Sequence, residues 1–396
     1  MPVAAKIQAM MSRSSWIRKM FDEGARLKAE FGPENVHDFS LGNPVSEPSA
    51  AVRRALEAAA CDPAPGVHRY MPNAGYPAVR EGVADALAER SGLPFTGGHV
   101  VMTVGAGGGL NVVLKALVDP GEEVAIVAPY FAEYLFYIDN HGGVAKIAQT
   151  GPGYQVNAAE IERVICEKTR ALILNSPNNP TGAVYTEAAL DEVGALLARK
   201  SAEYGAPIWL VMDEPYRKLV YPGYVVPETF GFYDHTICVT SHSKDLNLPG
   251  ERIGYAAVSP NVADADRVVD ALTLTNRILG FVNAPATMQR AVATLQRETP
   301  DMTLYIENRR ILVEGLREIG YELTEPGGGF YLFPQSPLDD DVAFVEILKR
   351  QNVLVVPGTG FGWPGSFRIS FAVDTDTCRR ALPGFASALR ESLNPS

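Results

Sequence analysis

Short runs of β-branched and apolar residues alternate with longer amphipathic stretches through the middle of this chain. Seven runs predict strands, at residues 99–104, 123–128, 144–148, 171–175, 208–212, 236–240 and 253–258. The stretches between them predict helices, including residues 109–118, 157–165 and 187–200. Strands that alternate with helices are typical of a largely parallel sheet with helices on both faces. The pattern therefore predicts an α/β fold with a large domain, in which a mostly parallel seven-stranded sheet lies between helices.

The pattern changes after residue 285. A long helical stretch at residues 286–319 is followed by short apolar runs, with one more helix near residues 342–351. These runs lie at residues 330–333, 353–356 and 367–372. They predict a second, smaller α+β domain. We expect the large domain to span residues 46–285, and the small domain to combine residues 1–45 with residues 286–396.

The composition is that of an ordinary globular protein. The chain has 396 residues, of which 46% are hydrophobic and 20% are charged. Acidic residues outnumber basic ones by 46 to 35, which gives a formal net charge of −11, and no basic block occurs. Nucleic-acid binders carry a positive patch that this chain lacks, so we expect no nucleic-acid partner.

The sequence also disfavours a membrane protein, a secreted protein and a metal-binding protein. The longest apolar run, residues 124–132, is far shorter than the roughly 18 residues that a transmembrane helix needs. The first 20 residues contain no continuous apolar core of the kind found in secretory signals. The four cysteines are far apart and form no CxxC pair. We therefore expect a cytoplasmic protein with no membrane partner and no bound metal.

The residues that follow the predicted strands carry the candidate chemistry, because ligands of open α/β sheets bind at the carboxyl ends of the strands. Five successive strand ends lead into glycine-rich, polar or aromatic segments. They are Gly105-Ala106-Gly107-Gly108-Gly109, Pro129-Tyr130-Phe131, Ser176-Pro177-Asn178-Asn179-Pro180-Thr181-Gly182, Asp213-Glu214-Pro215-Tyr216 and Ser241-His242-Ser243-Lys244. Five such segments at one edge of a sheet indicate a binding site.

The glycine-rich segment is expected to bind an anion. A helix that starts near Gly109 would direct free backbone N–H groups and its dipole at a phosphate, although a simple tight turn is the alternative. A dinucleotide fingerprint is disfavoured, because Leu110 stands where the last glycine of GxGxxG is required. The next strand also ends in Ala128 rather than in an acidic residue.

Lys244 and Asp213 are the candidate reactive residues. A lone lysine is usually a solvated surface charge. Beside Ser241, Arg252 and an anion-binding loop, however, the pKa of Lys244 would be lowered, and its amine could form a Schiff base. Asp213 ends an apolar strand, where a buried carboxylate needs a cationic partner such as a protonated pyridine nitrogen. A helix cap is the alternative for Asp213, and Tyr216 places a phenol near the same face.

Three further positions are ambiguous by themselves. Asn179 lies in a segment whose composition is that of a turn. Phe131 has the character of a core residue. Arg368 lies inside a short apolar strand, where its guanidinium suits the bidentate capture of a carboxylate, although an outward-facing surface arginine is the commoner case.

Taken together, these residues resemble the pyridoxal-phosphate-dependent aminotransferases related to aspartate aminotransferase, of fold type I. The ordered set of motifs extends from about residue 40 to residue 370. The segments that carry the resemblance are Thr103-Val104-Gly105-Ala106-Gly107, Asn175-Ser176-Pro177-Asn178-Asn179-Pro180-Thr181-Gly182, Asp213-Glu214-Pro215-Tyr216, Ser241-His242-Ser243-Lys244 with Arg252, and Phe367-Arg368-Ile369-Ser370. Each motif alone is weak, but the ordered set is specific.

The resemblance implies pyridoxal 5′-phosphate as the cofactor and gives each residue a role toward its ring. Lys244 would bind the cofactor through a Schiff base and would later move the proton from the substrate Cα. Asp213 would pair with the pyridine nitrogen and keep it protonated. Tyr216 and Asn179 would hydrogen-bond the phenolic oxygen, and Phe131 would stack on the ring.

The same resemblance assigns residues to the cofactor phosphate. The segment Gly105, Ala106 and Gly107 would bind it together with Ser241 and Arg252. This loop lacks a side-chain hydroxyl that some relatives have, so we expect mostly backbone contacts.

Substrate and partner contacts are implied as well. Arg368 would bind the α-carboxylate of the substrate, together with Asn179 and the backbone at Gly42. Tyr70 resembles the tyrosine that reaches the phosphate in the partner subunit, which implies a homodimer. The arginine that selects dicarboxylic substrates in the aspartate enzymes has no direct match. Arg277 lies one position away, and a surface role for it is equally open.

The expected function is therefore amino transfer between an L-amino acid and a 2-oxo acid, in ping-pong order. A carbon–sulfur β-lyase or another pyridoxal-phosphate enzyme, such as a racemase, would use the same lysine and aspartate and is the alternative. A catalytically silent regulator that only binds the cofactor is disfavoured, because no basic DNA-binding extension is visible.

Overall fold

The computed structural model describes residues 3–12 and 16–393. Its α-helices are α1 (Ala5–Ser12), α2 (Trp16–Phe31), α3 (Ala50–Ala60), α4 (Pro77–Ser91), α5 (Gly105–Leu117), α6 (Glu133–Asn140), α7 (Ala158–Glu162), α8 (Glu187–Tyr204), α9 (His242–Asp245), α10 (Ala265–Ile278), α11 (Ala286–Val292), α12 (Thr303–Ile319), α13 (Asp341–Arg350) and α14 (Thr375–Leu393). Its strands are β1 (His37–Asp38), β2 (Val100–Thr103), β3 (Glu123–Ala128), β4 (Val144–Gln149), β5 (Thr169–Asn175), β6 (Trp209–Asp213), β7 (Thr236–Ser241), β8 (Gly254–Val258), β9 (Tyr331–Leu332), β10 (Val353–Leu354), β11 (Val356–Pro357) and β12 (Phe367–Ser370).

The main sheet has seven strands in the order β2-β8-β7-β6-β5-β3-β4. Strands β3 to β7 pair in parallel, whereas β8 runs antiparallel to both of its neighbours, β2 and β7. All seven predicted strands are present, with ends that differ by a few residues at most. The predicted fold class, a mostly parallel seven-stranded sheet between helices, is confirmed.

Both faces of the sheet are buried, as expected for parallel strands. In β5, Ile173 packs on one face with Leu110 of α5, while Leu172 and Leu174 pack on the other face with Leu197 of α8. Because successive side chains of a strand point to opposite faces, one apolar run contributes to two separate cores. Burial of each such side chain contributes about 1.5–3 kcal/mol to the free energy of unfolding.

Helix α8 shows how local sequence sets the boundaries of these elements. The side chain of Thr186 accepts a hydrogen bond from the backbone N–H of Ala189 and caps the first turn. Gly205 ends the helix in the left-handed conformation, which glycine adopts without steric cost. The chain then turns directly into β6.

A second group of elements forms the smaller α+β part of the molecule. Strands β11, β12 and β9 form an antiparallel sheet, and β1 pairs in parallel with β10. Met20 and Phe39 share a hydrophobic core with Leu312, Phe344 and Phe385 of α12, α13 and α14. Residues from both ends of the chain thus pack together in one core. The domain boundaries at residues 45 and 285 stay a prediction, and residues 1, 2, 13–15 and 394–396 lie outside the described residues.

Several predicted helices have different bounds in the structure. The stretch predicted at residues 286–319 is broken into α11 and α12. Helix α11 ends at Val292, and Pro300 lies in the irregular segment before α12, where the Asp301 carboxylate accepts a hydrogen bond from the N–H of Thr303. Helix α5 begins at Gly105 rather than near Gly109. The segment that the sequence suggested as a turn is therefore the first turn of the helix itself.

Within the described residues, no helix is both long enough and apolar enough to cross a membrane.

Candidate active site

A cavity of about 290 Å³ opens at the carboxyl edge of the parallel strands. All but two of the predicted site residues line it, namely Gly42, Ala106, Gly107, Phe131, Asn179, Asp213, Tyr216, Ser241, Lys244, Arg252 and Arg368. The register of the sheet helps to gather them, because Asn175 at the end of β5 pairs with Asp213 at the end of β6. The two predicted residues outside the lining are Gly105 and Tyr70.

Asp213 ends β6 with 5% of its surface exposed. Its Oδ2 accepts a hydrogen bond of 2.5 Å from the Tyr134 hydroxyl, and its buried Oδ1 has no partner among the described residues. Burial raises the pKa of Asp213 to about 7, with a smaller contribution from the Glu214 carboxylate, while the bond from Tyr134 opposes the shift. The carboxylate is thus held in place with one oxygen still able to accept a bond from a cation.

Lys244 lies on the short helix α9, directly after β7. Its Nζ donates a hydrogen bond of 2.7 Å to the carbonyl oxygen of Gly42. Burial lowers the pKa of Lys244 to about 8, and the positive charges of Arg252 and Arg368 lower it further in the same direction. At pH 7 a pKa of about 8 leaves roughly a tenth of this amine uncharged, which is the form that acts as a nucleophile or base.

Arg368 comes from β12 and is buried, with 1% of its surface exposed. Its Nη1 donates to Oδ1 of Asn179 over 3.0 Å, and its Nη2 donates to the carbonyl oxygen of Ser40 over 2.6 Å. Its guanidinium carbon lies 4.8 Å from the ring centre of Tyr331 and 4.9 Å from that of Phe361. Its Nε has no partner among the described residues. No carboxylate neutralises this buried cation in the described structure, so the site favours a carboxylate ligand.

The glycine-rich segment approaches Arg252 closely. Gly105 has a φ of 68°, and a Cβ at this position would lie 2.8 Å from Nη2 of Arg252. Ala106 and Gly107 follow in the first turn of α5, where backbone N–H groups lack helical partners. Arg252 itself has a φ of 51°, which is uncommon for a residue with a side chain. The loop and the arginine together form a site suited to an anion.

Tyr216 contacts a tyrosine that the sequence did not suggest. The hydroxyl groups of Tyr216 and Tyr331 are hydrogen-bonded at 2.8 Å. A Cβ at position 42 would overlap the Tyr331 hydroxyl, so only glycine fits there. These contacts join the end of β6, strand β9 and the N-terminal segment at one wall of the cavity.

Besides Tyr331, the polar lining residues that were not predicted as site residues are Tyr137, Asn175 and Ser243. Tyr134 is not part of the lining and acts on the site through its hydrogen bond to Asp213. Asn175 donates to the carbonyl oxygen of Asp213 over 2.8 Å and accepts from the N–H of Asn179 over 2.7 Å, so it fixes two predicted residues at once. Its signal in the sequence is an asparagine that ends an apolar strand. Tyr134 and Tyr137 are three residues apart on α6, a spacing that places both phenols on one face of the helix.

Tyr70 lies apart from the other predicted residues. It is 90% exposed and lines a different groove together with Phe281 and Val282. Phe131 does line the cavity, where its ring meets that of Tyr134 edge-on at a centroid distance of 5.6 Å.

Comparisons with known proteins agree with this geometry. Residues 34–385 match the family model described as aminotransferase class I and II. The aspartate/prephenate aminotransferase of Thermus thermophilus is 35% identical over 370 residues, which cover 89% of each chain.

Solved structures of two similar proteins cover nearly the whole chain. An aminotransferase from Eubacterium rectale, 36% identical, superposes with a TM-score of 0.95 over 100% of both chains. A single mutant of the Thermus thermophilus aspartate aminotransferase, 28% identical, has a TM-score of 0.86 over 98% of this chain and 100% of its own. The chain therefore belongs to the aminotransferase class I and II family, and it is a transaminase that depends on pyridoxal phosphate.

Proposed function

We propose that this transaminase works at the cavity described above, where it moves the amino group of an L-amino acid to a 2-oxo acid in two half-reactions of ping-pong order. The observation that carries the proposal is that Lys244 and Asp213 line the same cavity. One residue offers a buried amine whose pKa is lowered to about 8, and the other a buried carboxylate oxygen without a partner.

The residues present fit pyridoxal phosphate. The unpartnered Oδ1 of Asp213 suits a protonated pyridine nitrogen, which would supply the cation that a buried carboxylate requires. Ala106, Gly107, Ser241 and Arg252 would hold the phosphate, and Phe131 would pack against the ring. When bound, the cofactor supplies a conjugated ring that takes up the electron pair left when the substrate Cα–H bond breaks.

The protein groups then have separate tasks. Lys244 Nζ would take the proton from the substrate Cα and return one during the second half-reaction. Asp213 would hold the ring nitrogen in its protonated form, while Tyr216 and Asn179 would donate hydrogen bonds to the phenolic oxygen. Arg368 would bind the α-carboxylate, which fixes the Cα–H bond relative to Lys244.

The donor is proposed to be an amino acid with an unmodified α-carboxylate, with aspartate and glutamate as the first candidates. Relatives named aspartate aminotransferases support this choice. Arg277 lies near the end of α10 with its side chain exposed. If Arg277 of a partner selects acidic side chains, Arg277→Gln should raise KM for aspartate and leave KM for alanine unchanged.

We propose a homodimer whose sites are shared between subunits. Tyr70, Leu274 and Ile278 are exposed, at 90%, 47% and 55%, and a second copy could cover them. The test is to mix inactive Tyr70→Ala and Lys244→Ala chains. Shared sites predict that activity returns, because one site of each hybrid then carries both intact residues. Independent sites predict no recovery.

The cytoplasmic location also stays a proposal. All four cysteines are free in the structure, which suits a reducing compartment. Cell fractionation with an antibody to the chain would test it.

The reaction itself is tested by visible absorption of the purified protein. Addition of the correct amino acid should remove the absorption band of the lysine-bound cofactor, and a 2-oxo acid should restore it. Lys244→Ala should lack this band and have no turnover, whereas Lys115→Ala, on an exposed face of α5, should behave as the natural protein does.

Two other results would contradict amino transfer. Release of pyruvate and ammonia without an acceptor, while the band persists, would indicate a carbon–sulfur β-lyase. Failure of the natural protein to develop the band after addition of pyridoxal phosphate would remove Lys244 from its proposed role.

A further inference from the structure

The hydroxyl of Tyr137 occupies the space beside Gly107 that a side chain would otherwise fill. A Cβ built at position 107 would lie 2.8 Å from this oxygen and 3.6 Å from the ring carbon that carries it. Tyr137 comes from α6, which lies beside α5 at the edge of the cavity. A side chain at position 107 would therefore have to displace the Tyr137 hydroxyl.

Tyr137 and Arg252 lie at the two ends of the segment Gly105-Ala106-Gly107. A side chain at position 105 would meet Nη2 of Arg252 at 2.8 Å, just as one at position 107 would meet the Tyr137 hydroxyl. Both residues line the cavity together with Ala106 and Gly107. The glycines thus leave room for one cationic and one phenolic donor around the free N–H groups of α5.

The Tyr137 hydroxyl has no hydrogen-bond partner within the described part of the chain, unlike the Tyr134 hydroxyl one turn earlier. Burial raises the pKa of Tyr137 to about 12, with contributions from Glu133 and Asp213, and Arg252 opposes the shift. The hydroxyl therefore keeps its proton near neutral pH and can act as a hydrogen-bond donor. A donor in this position is suited to an anion bound at the first turn of α5.

We propose that the Tyr137 hydroxyl donates a hydrogen bond to the phosphate group of the cofactor, in place of the side-chain hydroxyl that the glycine-rich loop lacks. This inference rests on the proposed binding of the phosphate at Ala106, Gly107, Ser241 and Arg252. It adds a side-chain donor to a loop for which the sequence predicts mostly backbone contacts.

The first test is Tyr137→Phe, which keeps the ring and removes only the oxygen. Cofactor-free protein is titrated with pyridoxal phosphate, and separately with pyridoxal, which has no phosphate, while intrinsic fluorescence is followed. Hydrogen bonds to charged groups contribute about 1.5–3 kcal/mol, so the affinity for pyridoxal phosphate should fall about tenfold or more. The affinity for pyridoxal should not change.

A second variant uses the space beside Gly107. Gly107→Ser alone should weaken binding of pyridoxal phosphate, because its Cβ would meet the Tyr137 hydroxyl. In the Tyr137→Phe background the same serine has room and supplies a hydroxyl near the phosphate. The double variant should therefore bind pyridoxal phosphate more tightly than either single variant.

The outcomes separate this inference from the proposed function. If Tyr137→Phe binds both compounds as the natural protein does, or loses affinity for both equally, the phosphate contact is refuted. If the natural protein fails to bind pyridoxal phosphate, the proposed function fails instead. Thermal unfolding of the cofactor-free variants shows whether a loss of affinity comes from a loss of folded protein.

Discussion

Tyr134 donates a hydrogen bond of 2.5 Å to Oδ2 of Asp213, a residue 79 positions further along the chain. Both groups are buried, and the bond leaves Oδ1 of Asp213 as the oxygen that can face a ligand. The phenol therefore orients the carboxylate and opposes the rise in its pKa that burial causes.

Tyr134→Phe should raise the pKa of Asp213, because the lost hydrogen bond is the contribution that lowers it. Hydrogen bonds to charged groups contribute about 1.5–3 kcal/mol, equivalent to about one to two pKa units. The acidic limb of the plot of kcat against pH should therefore move to higher pH by about one unit. Tyr233→Phe, which removes a buried hydroxyl hydrogen-bonded to Ser201, is the control and should leave the profile unchanged. An equal shift in both variants would contradict the role of Tyr134.

Asp213→Asn should change how the stability of the cofactor-free protein depends on pH. The pKa of Asp213 is raised from 3.8 to about 7 on folding, so between these values the native state keeps a proton that the unfolded chain releases. The free energy of unfolding of the natural protein should thus fall as pH rises through this window, by on the order of 1.4 kcal/mol per pH unit at most.

Asparagine does not ionise, so the free energy of unfolding of the variant does not fall in this way as pH rises. Relative to the natural protein, Asp213→Asn should be more stable by a few kcal/mol at pH 8 than it is at pH 4.5, as measured by urea unfolding. Asp376→Asn, whose side chain is 80% exposed, should show the same difference from the natural protein at both pH values. A constant difference for Asp213→Asn would show that burial does not raise this pKa.

Arg368→Lys should reduce kcat/KM for amino acids about 10- to 100-fold, because an ammonium group cannot form the two parallel bonds of a guanidinium. Steady-state kinetics with an amino acid and with a primary amine that lacks a carboxylate would distinguish lost carboxylate binding from general damage to the site. If Arg368 binds the α-carboxylate, only the amino-acid reaction should slow strongly. An equal loss with both donors would point to damage at Lys244 or the cofactor.

Gly182→Ala should destabilise the protein more than Gly205→Ala does. Both glycines have a positive φ, 69° and 67°. A Cβ at position 182 would also lie 2.9 Å from the carbonyl oxygen of Tyr331 and 3.0 Å from that of Gly328, whereas position 205 has no atom within 4 Å. Gly205→Ala should cost about 1–2 kcal/mol for backbone strain alone. Gly182→Ala should cost clearly more in urea unfolding, and equal costs would refute the steric argument.

Much of the fold could be predicted because the strands of a buried parallel sheet are continuous apolar runs. Residues 123–128 were predicted with the bounds that the structure shows. The start of α5 could not be predicted in this way, because glycine has low helix propensity and the close approach of Arg252 to Gly105 is visible only in the folded chain.

Residues of the cavity lining were predictable where they lie at or just after the end of a strand, as Asp213 and Lys244 do. Tyr331 was not, because it reaches Tyr216 and Gly42 only through the pairing of β9 with β12. Tyr137 lies on a helix within an aromatic-rich segment, where a core residue and a ligand contact give the same pattern. The proposed role of Tyr70 depends on a second copy of the chain, and only the resemblance to a family suggested it.

The contact between Arg368 and the Ser40 carbonyl joins residues 328 positions apart, so it can form only after nearly the whole chain has been synthesised. Ribosomes deliver the chain from its N-terminus, and early segments begin to fold before later ones emerge. The residues proposed to hold the cofactor, up to Arg252, all emerge more than one hundred positions before Arg368. Of the residues proposed for this site, Arg368, proposed to bind the substrate carboxylate, is therefore the last to be synthesised.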